Sequence, residues 1–337
     1  MTIRWGVGMW QLPPPRLIEM VQLCERLGYN HFWHANHKLD RDMTIGLTLA
    51  AVHSQRLTLG TFVVDPYVIH PAMTAAAVAT LDELAGGRVV LVLGAGMMGF
   101  RAMGIERRKP LVAVEEAIYV IRRLWAGETV TFVGEVVQAK DARLGFPARP
   151  NIPIFIATRG DRMLHLAGRV ADGVMISTYA TPEGVRHALS QVAKGAQEAR
   201  RSPESVTVIL RVDACVSEDV QAARAAVKPI IAGSLGSSYP DRAFVEAVGL
   251  TVPAELEAII REGDEGRIWA AAGLVPDEFV EHFAWAGTAE QVATQVAQMV
   301  QMGILNITIL PNPPEAVTPT LHAFANEVIP RVQQSVE

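Results

Sequence analysis

The chain is poor in cysteine, in charge and in long apolar runs. Two cysteines occur among 337 residues, so no disulfide framework is available and a reducing cytoplasm is the expected compartment. Asp, Glu, Lys and Arg make up 19% of the chain, below the roughly 25% of an average domain. Thirty Lys and Arg against 35 Asp and Glu leave a formal charge of −5, which argues against extensive contact with a nucleic-acid backbone or an anionic membrane. The longest apolar runs, such as Val89–Leu93, have strand length and fall far short of the about 20 residues that span a bilayer. Met1–Gly8 enters a strand-like stretch without the features of a signal peptide. What is abundant is apolar surface, 50% of the residues, enough for a large buried core and incompatible with disorder or a coiled coil. A small molecule is the partner class these absences leave.

Short β-rich runs alternate with helical patterns. Strands are expected at Ile3–Met9, His31–Ala35, Leu57–Val64, Arg88–Leu93, Ile152–Ala157, Gly173–Ser177, Val206–Cys215 and Leu305–Leu310. Most are apolar throughout, as parallel strands covered on both faces must be. Between them lie helical patterns, among them Pro14–Leu27, Thr44–His53, Ala72–Leu84, Leu111–Trp125, Arg162–Val170 and Val220–Gly233. Eight such units without a change of composition predict a (β/α)8 TIM barrel over residues 1–337 as one domain. The surplus falls in two places: a β-hairpin at Thr129–Ala139, and an insertion after strand seven, about 232–286, with two or three short helices. The insertion is expected over the barrel mouth, as a lid or cofactor wall.

Gly94, Gly96 and Gly99 have the G-x-G-x-x-G spacing after a strand. A dinucleotide fingerprint also needs a long helix directly after it and an acidic strand end about 20 residues on, and Gly104 and Pro110 interrupt the first of these. The segment reads better as a mouth loop where missing side chains let a flat ligand approach the backbone. Thr158, Arg159 and Gly160 lead from a strand into a helix, and the helix N–H groups with Arg159 and Arg162 are suited to a phosphate; an ordinary βα turn is the alternative. His31, His34 and His37 do not read as a metal set, because residues three apart on a strand point to opposite faces. His37 and Asn36 stand at the C-terminal end of strand two, where barrel enzymes place their chemistry. No Ser/His/Asp or Cys/His set supports hydrolysis.

Leu59–Arg88, Ala102–Ile118, Pro153–Ser177 and Gly287–Ile304 together resemble the luciferase-like monooxygenase superfamily of flavin and deazaflavin oxidoreductases, and within it the methylenetetrahydromethanopterin reductases. The resemblance implies a barrel with its cofactor across the mouth, a cytoplasmic homodimer, and hydride transfer between coenzyme F420 and an organic substrate. FMN with a monooxygenase reaction is the alternative, and a flavin-binding barrel without turnover a further one. It implies His37 as the catalytic residue, Asn36 standing where many relatives have Asp. Phe62 and Val63 fall on the family's strand-three bulge, which often holds a non-prolyl cis peptide. Thr158, Arg159, Gly160 and Met163 fall on the phosphate turn, and Gly94 and Gly96 on the ring-facing loop. Several deazaflavin enzymes carry an acid where this chain has Gly96-Met97-Met98.

Overall fold

The computed structural model describes residues 2–336. Eight parallel strands close into a barrel: β1 (Arg4–Met9), β2 (His31–Ala35), β3 (Thr58–Phe62), β4 (Val89–Leu93), β7 (Ile154–Thr158), β8 (Gly173–Ser177), β9 (Thr207–Val216) and β11 (Asn306–Pro311). Each pairs with its neighbour in that order, and β11 returns to β1. All eight expected strands are present within two residues of their limits. Two strands, β5 (Val130–Val133) and β6 (Gln138–Ala142), form the antiparallel hairpin outside the barrel sheet. The hairpin ends at Ala142 rather than Ala139. Glu116 on the preceding helix fixes its turn by accepting the N–H groups of Glu135, Val136 and Val137. Among the described residues no helix is long and apolar enough to cross a membrane.

The barrel axis is filled. Trp33, Val90, Val92, Phe155, Met175 and Ile209 form a cluster separate from the main core between strands and helices. They come from five strands at inward-facing positions of the pleat. The Trp33 indole donates to Thr308 Oγ1 at 3.0 Å and lies where a side chain at residue 60 would stand, so only glycine fits there. A packed interior leaves ligands no place but the mouth.

Three departures from the sequence reading lie in the insertion. The helix expected to stop at Gly233 runs on as Val220–Ser238, because Gly233 and Gly236 face a later helix of the insertion, Glu265–Ala270. A Cβ on them would stand 3.1 Å from the Trp269 ring and 3.0 Å from Ile268. The glycines are contact surface here, so tertiary packing overrides their use as helix stops. A ninth strand of the barrel sheet, β10 (Ala284–Gly287), pairs with Asp213–Val216 on the outer half of β9. Its sequence, AWAG, has little β-propensity and gave no local signal. Helices Ala243–Glu246, Ala254–Glu262 and Asp277–Phe283 join Glu265–Ala270, so the insertion holds four short α-helices where two or three were expected.

Replacing Gly60 with Ala forces a methyl group into the Trp33 ring and to 3.2 Å from the Val90 carbonyl. The expected cost is about 1–3 kcal/mol of overpacking, read as a lowered Tm in thermal unfolding; an unchanged Tm would show that the barrel axis is not close-packed.

Candidate functional site

A cavity of about 1000 Å³ opens at the C-terminal end of the strands. Its floor is the upper layer of the barrel and its far wall is the insertion, through Ile230, Ser234, Tyr239 and Phe244. Every residue proposed from the sequence lines it: Asn36, His37, Phe62, Val63, Gly94, Gly96, Thr158, Arg159, Gly160 and Met163. The three histidines of the β2 region separate as strand geometry requires. His31 lies inside the barrel beside Trp33, ring centroids 5.4 Å apart, where burial lowers its pKa to about 4. His34 points outward onto Gly46 of the helix Met43–His53, and His37 stands in the mouth. Among the described residues no group of three His, Cys, Asp or Glu is placed to hold a metal ion.

Gln11 holds the His37 backbone from both sides. The His37 N–H donates to Gln11 Oε1 at 3.0 Å, and Gln11 Nε2 donates to the His37 carbonyl at 3.0 Å. The imidazole packs edge-on to Trp10, centroids 5.3 Å apart, and no hydrogen bond from either ring nitrogen is made among the described residues. Burial lowers its pKa below 6.5; Asp40 opposes that shift, and the cations Lys38 and Arg211 add to it. The ring is therefore neutral at pH 7, able to donate at one nitrogen and accept at the other. Asn36 supports the floor: its Nδ2 donates to the Val63 carbonyl at 3.0 Å. The Phe62–Val63 peptide is cis.

Across the cavity, the Gly160 N–H donates to Thr158 Oγ1 at 3.2 Å, and the helix Asp161–Val170 begins. The first N–H groups of a helix lack intrahelical partners, and those of Asp161 and Arg162 find none elsewhere among the described residues. Space stands open above Gly160, where a Cβ would meet only Asp241 Oδ2, at 3.4 Å. Asp161 turns its carboxylate to His187 at 2.7 Å. Arg159 is not a free cation at this turn: its Nη1 donates to the Ser234 carbonyl at 2.9 Å and to the Ser237 and Ser238 hydroxyls at 3.0 Å. Arg162 forms no ion pair among the described residues and remains available.

In the loop after β4, Gly96 has φ +73°, and a side chain there would meet the Phe100 ring and Lys38 Nζ. Its absence thus serves an internal contact as well as the cavity. Lys38 forms a buried ion pair with Asp65 at 2.9 Å and lies 4.2 Å from the Phe100 ring centroid, tying the loops after β2, β3 and β4 together. Met98 Sδ accepts from Trp269 Nε1 at 3.2 Å, and the Gly99 N–H donates to the Glu265 carboxylate, so this loop meets the insertion over the mouth. Six cations line the cavity; Lys38, Lys109 and Arg211 are paired with Asp65, Glu135 and Asp213, which leaves Arg107, Arg159 and Arg162 without a carboxylate partner among the described residues, beside Asp161 and Asp241.

Comparison with known proteins agrees with this architecture. Residues 4–306 match the family described as luciferase-like monooxygenase. The chain belongs to that family. It is 32% identical to 5,10-methylenetetrahydromethanopterin reductase of Methanolobus tindarius, over 90% of this chain and 94% of the relative. It is 31% identical to the enzyme of the same name from Archaeoglobus fulgidus, over 93% and 94%. The structure of coenzyme F420-dependent tetrahydromethanopterin reductase from Methanopyrus kandleri superposes with a TM-score of 0.82 at 25% identity, covering 98% of this chain and 100% of that one. The chain is thus an enzyme of the flavin- and deazaflavin-dependent luciferase-like oxidoreductases.

Sequence reasoning missed the charged pairs at this cavity: Lys38 with Asp65, and Arg211 with Asp213. The second pair had a signal. In the strand VTVILRVDACV two opposite charges sit two apart inside an apolar run, which places both on one face of a buried strand.

The His37 imidazole should titrate below pH 6.5 and be neutral at pH 7, with its protonated fraction rising only as pH falls beneath that value. An NMR titration of its ring C–H signal reads this directly; a midpoint above 6.5 would show that Asp40, not burial, governs the group.

Proposed function

We propose that the chain is one barrel domain acting as an F420-dependent oxidoreductase, moving hydride between the deazaflavin and an organic substrate. The observation that carries the reading is the layout of the cavity: a neutral imidazole without an intramolecular partner among the described residues at one end, and at the other an open helix start with unpartnered N–H groups beside the unpaired Arg162. The residues fit the group. The Gly160 turn offers N–H donors, clear space and the Arg162 side chain, a cradle suited to a phosphate. Phe62, Val63 and Gly94 offer a floor of small and apolar groups to a flat ring.

When bound, the deazaflavin supplies the carbon that accepts or releases hydride. The chain supplies the rest. The Gly160 turn and Arg162 anchor the anionic end, Asn36 holds the floor through the Val63 carbonyl, and the insertion with the Met97–Gly99 loop excludes water. His37 stabilises charge, or moves a proton, at its ring nitrogens during transfer. The loop after β4 carries Met97 and Met98 in place of an acid, and Met98 is engaged by Trp269, so proton handling falls to His37.

We also infer a homodimer. The helices Met43–His53 and Pro71–Leu84 pack together, and the first exposes the apolar side chains Ile45 and Val52. Their outer face leaves Ile45 64% and Met73 63% exposed, a surface suited to a second copy. Sedimentation velocity should give a dimer for the parent and a folded monomer for Ile45→Lys with Met73→Lys; a monomeric parent would refute this.

The cofactor reading is tested by titration with F420 and FMN, and by hydride transfer followed in deazaflavin absorbance. Gly160→Asp puts charge and bulk where N–H groups face the anion, so it should weaken binding at least tenfold with Tm nearly unchanged. His37→Ala should bind normally and transfer hydride about 10²–10⁴-fold more slowly. Exposed His53 is a better control than His34, which is buried. Tighter binding of FMN with oxygen consumption would favour the monooxygenase instead.

A further inference from the structure

The charge buried in the cavity wall is not balanced within the chain. The Arg211 side chain is 5% exposed, and its two terminal nitrogens both donate to Asp213 at 2.8 Å. Asp213 also accepts from Asn312 Nδ2 at 2.9 Å. Burial pushes the Asp213 carboxyl up, while three donated N–H groups hold it ionised. Arg159 lies within electrostatic reach of both: burial first, and then the Arg211 cation, lower its pKa to about 10. Its own acceptors are a carbonyl and two hydroxyls, all neutral. Two guanidiniums therefore share one carboxylate, leaving one surplus positive charge. The Nε of each arginine is buried without an acceptor among the described residues, and both arginines line the cavity. The Phe62 ring of the floor packs against the Arg211 guanidinium at 5.3 Å.

A surplus buried charge is costly when nothing opposes it. We propose that Arg211, with Arg159 as second cation and Asp213 as fixed partner, is the receptor for negative charge that the ligand's ring gains on reduction, so that the site holds the reduced ring more tightly than the oxidised one. The inference rests on the deazaflavin reading above. In hydride transfer the donor's C–H bond breaks with its electron pair and a C–H bond forms on the ring. The donor is oxidised, and the ring is reduced and gains one negative charge. A cation beside it then binds the product state better than the starting state, which shifts the equilibrium by that difference in affinity.

The test compares oxidised and reduced F420, and the phosphate-free deazaflavin nucleoside in both states, by anaerobic titration. Arg211→Met should lose about tenfold more affinity for the reduced than for the oxidised form; for a two-electron couple this lowers the potential of the bound ligand by about 30 mV. Asp213→Asn keeps the shape and removes the negative charge, so it should move the same ratio the opposite way. A role confined to folding would not give opposite signs. Arg159→Gln should follow Arg211→Met, and it supplies the measurement if that variant does not fold. The phosphate-free nucleoside should show the same shifts. Shifts confined to the phosphate-bearing ligand would assign the cluster to the phosphate and overturn the proposal, as would equal losses for both redox states. If the parent binds neither deazaflavin, the cofactor reading falls and the inference with it. If the parent binds both and the ratio stays fixed in every variant, the inference alone falls.

Discussion

The Trp33 indole, held by Thr308 and given room by Gly60, occupies the axis of the barrel, and the rest of the molecule's layout depends on that occupancy. A closed parallel sheet satisfies its own backbone groups and needs side chains to fill its centre. With Trp33, Phe155 and Met175 in place, the interior admits no ligand. Binding surface must come from the upper layer of side chains and from the loops that follow the strands. In this chain strand ends and loops together bring Asn36, His37, Phe62, Gly94 and Thr158 to one mouth.

The mouth is organised by buried charge on an apolar base. Lys38 with Asp65 and Arg211 with Asp213 each bring two charges out of water, an arrangement that seldom stabilises a fold more than well-packed apolar groups would. Their positions explain them better than stability does. The first pair links the loops after β2 and β3 and carries Phe100 from the loop after β4. The second lies in the cavity wall, where its field reaches the His37 imidazole. Burial and these cations act on His37 in the same direction and keep it neutral.

The insertion is joined to the barrel by polar and apolar contacts together. Arg159, at the end of β7, caps the end of the long helix Val220–Ser238 through the Ser234 carbonyl and two serine hydroxyls. That helix in turn receives Trp269 and Ile268 against its glycines. The same Trp269 donates to Met98 of the loop after β4. A displacement of this wall would therefore be felt both at the strand that leads into the Gly160 turn and at the loop beside the ring floor.

The sequence by itself determined the barrel and where its chemistry is placed. Eight apolar strand-length runs separated by helical patterns admit few architectures, and residues at the C-terminal ends of the barrel strands β2, β3, β4 and β7 necessarily share one mouth. Asn36, His37, Gly94 and Gly160 could be placed at the mouth for that reason, and Phe62 through the family resemblance. Only the tertiary structure decided which way the charged side chains turn. Arg159 looked like a cation for a phosphate and is engaged by the insertion's serines. Gly233 looked like a helix stop and is the seat of Trp269. The short strand Ala284–Gly287 exists because the outer half of β9 offers it a partner. These features rest on contacts between residues far apart in the chain, as Met98 is from Trp269, and local pattern carries no information about such contacts until the chain has closed on itself.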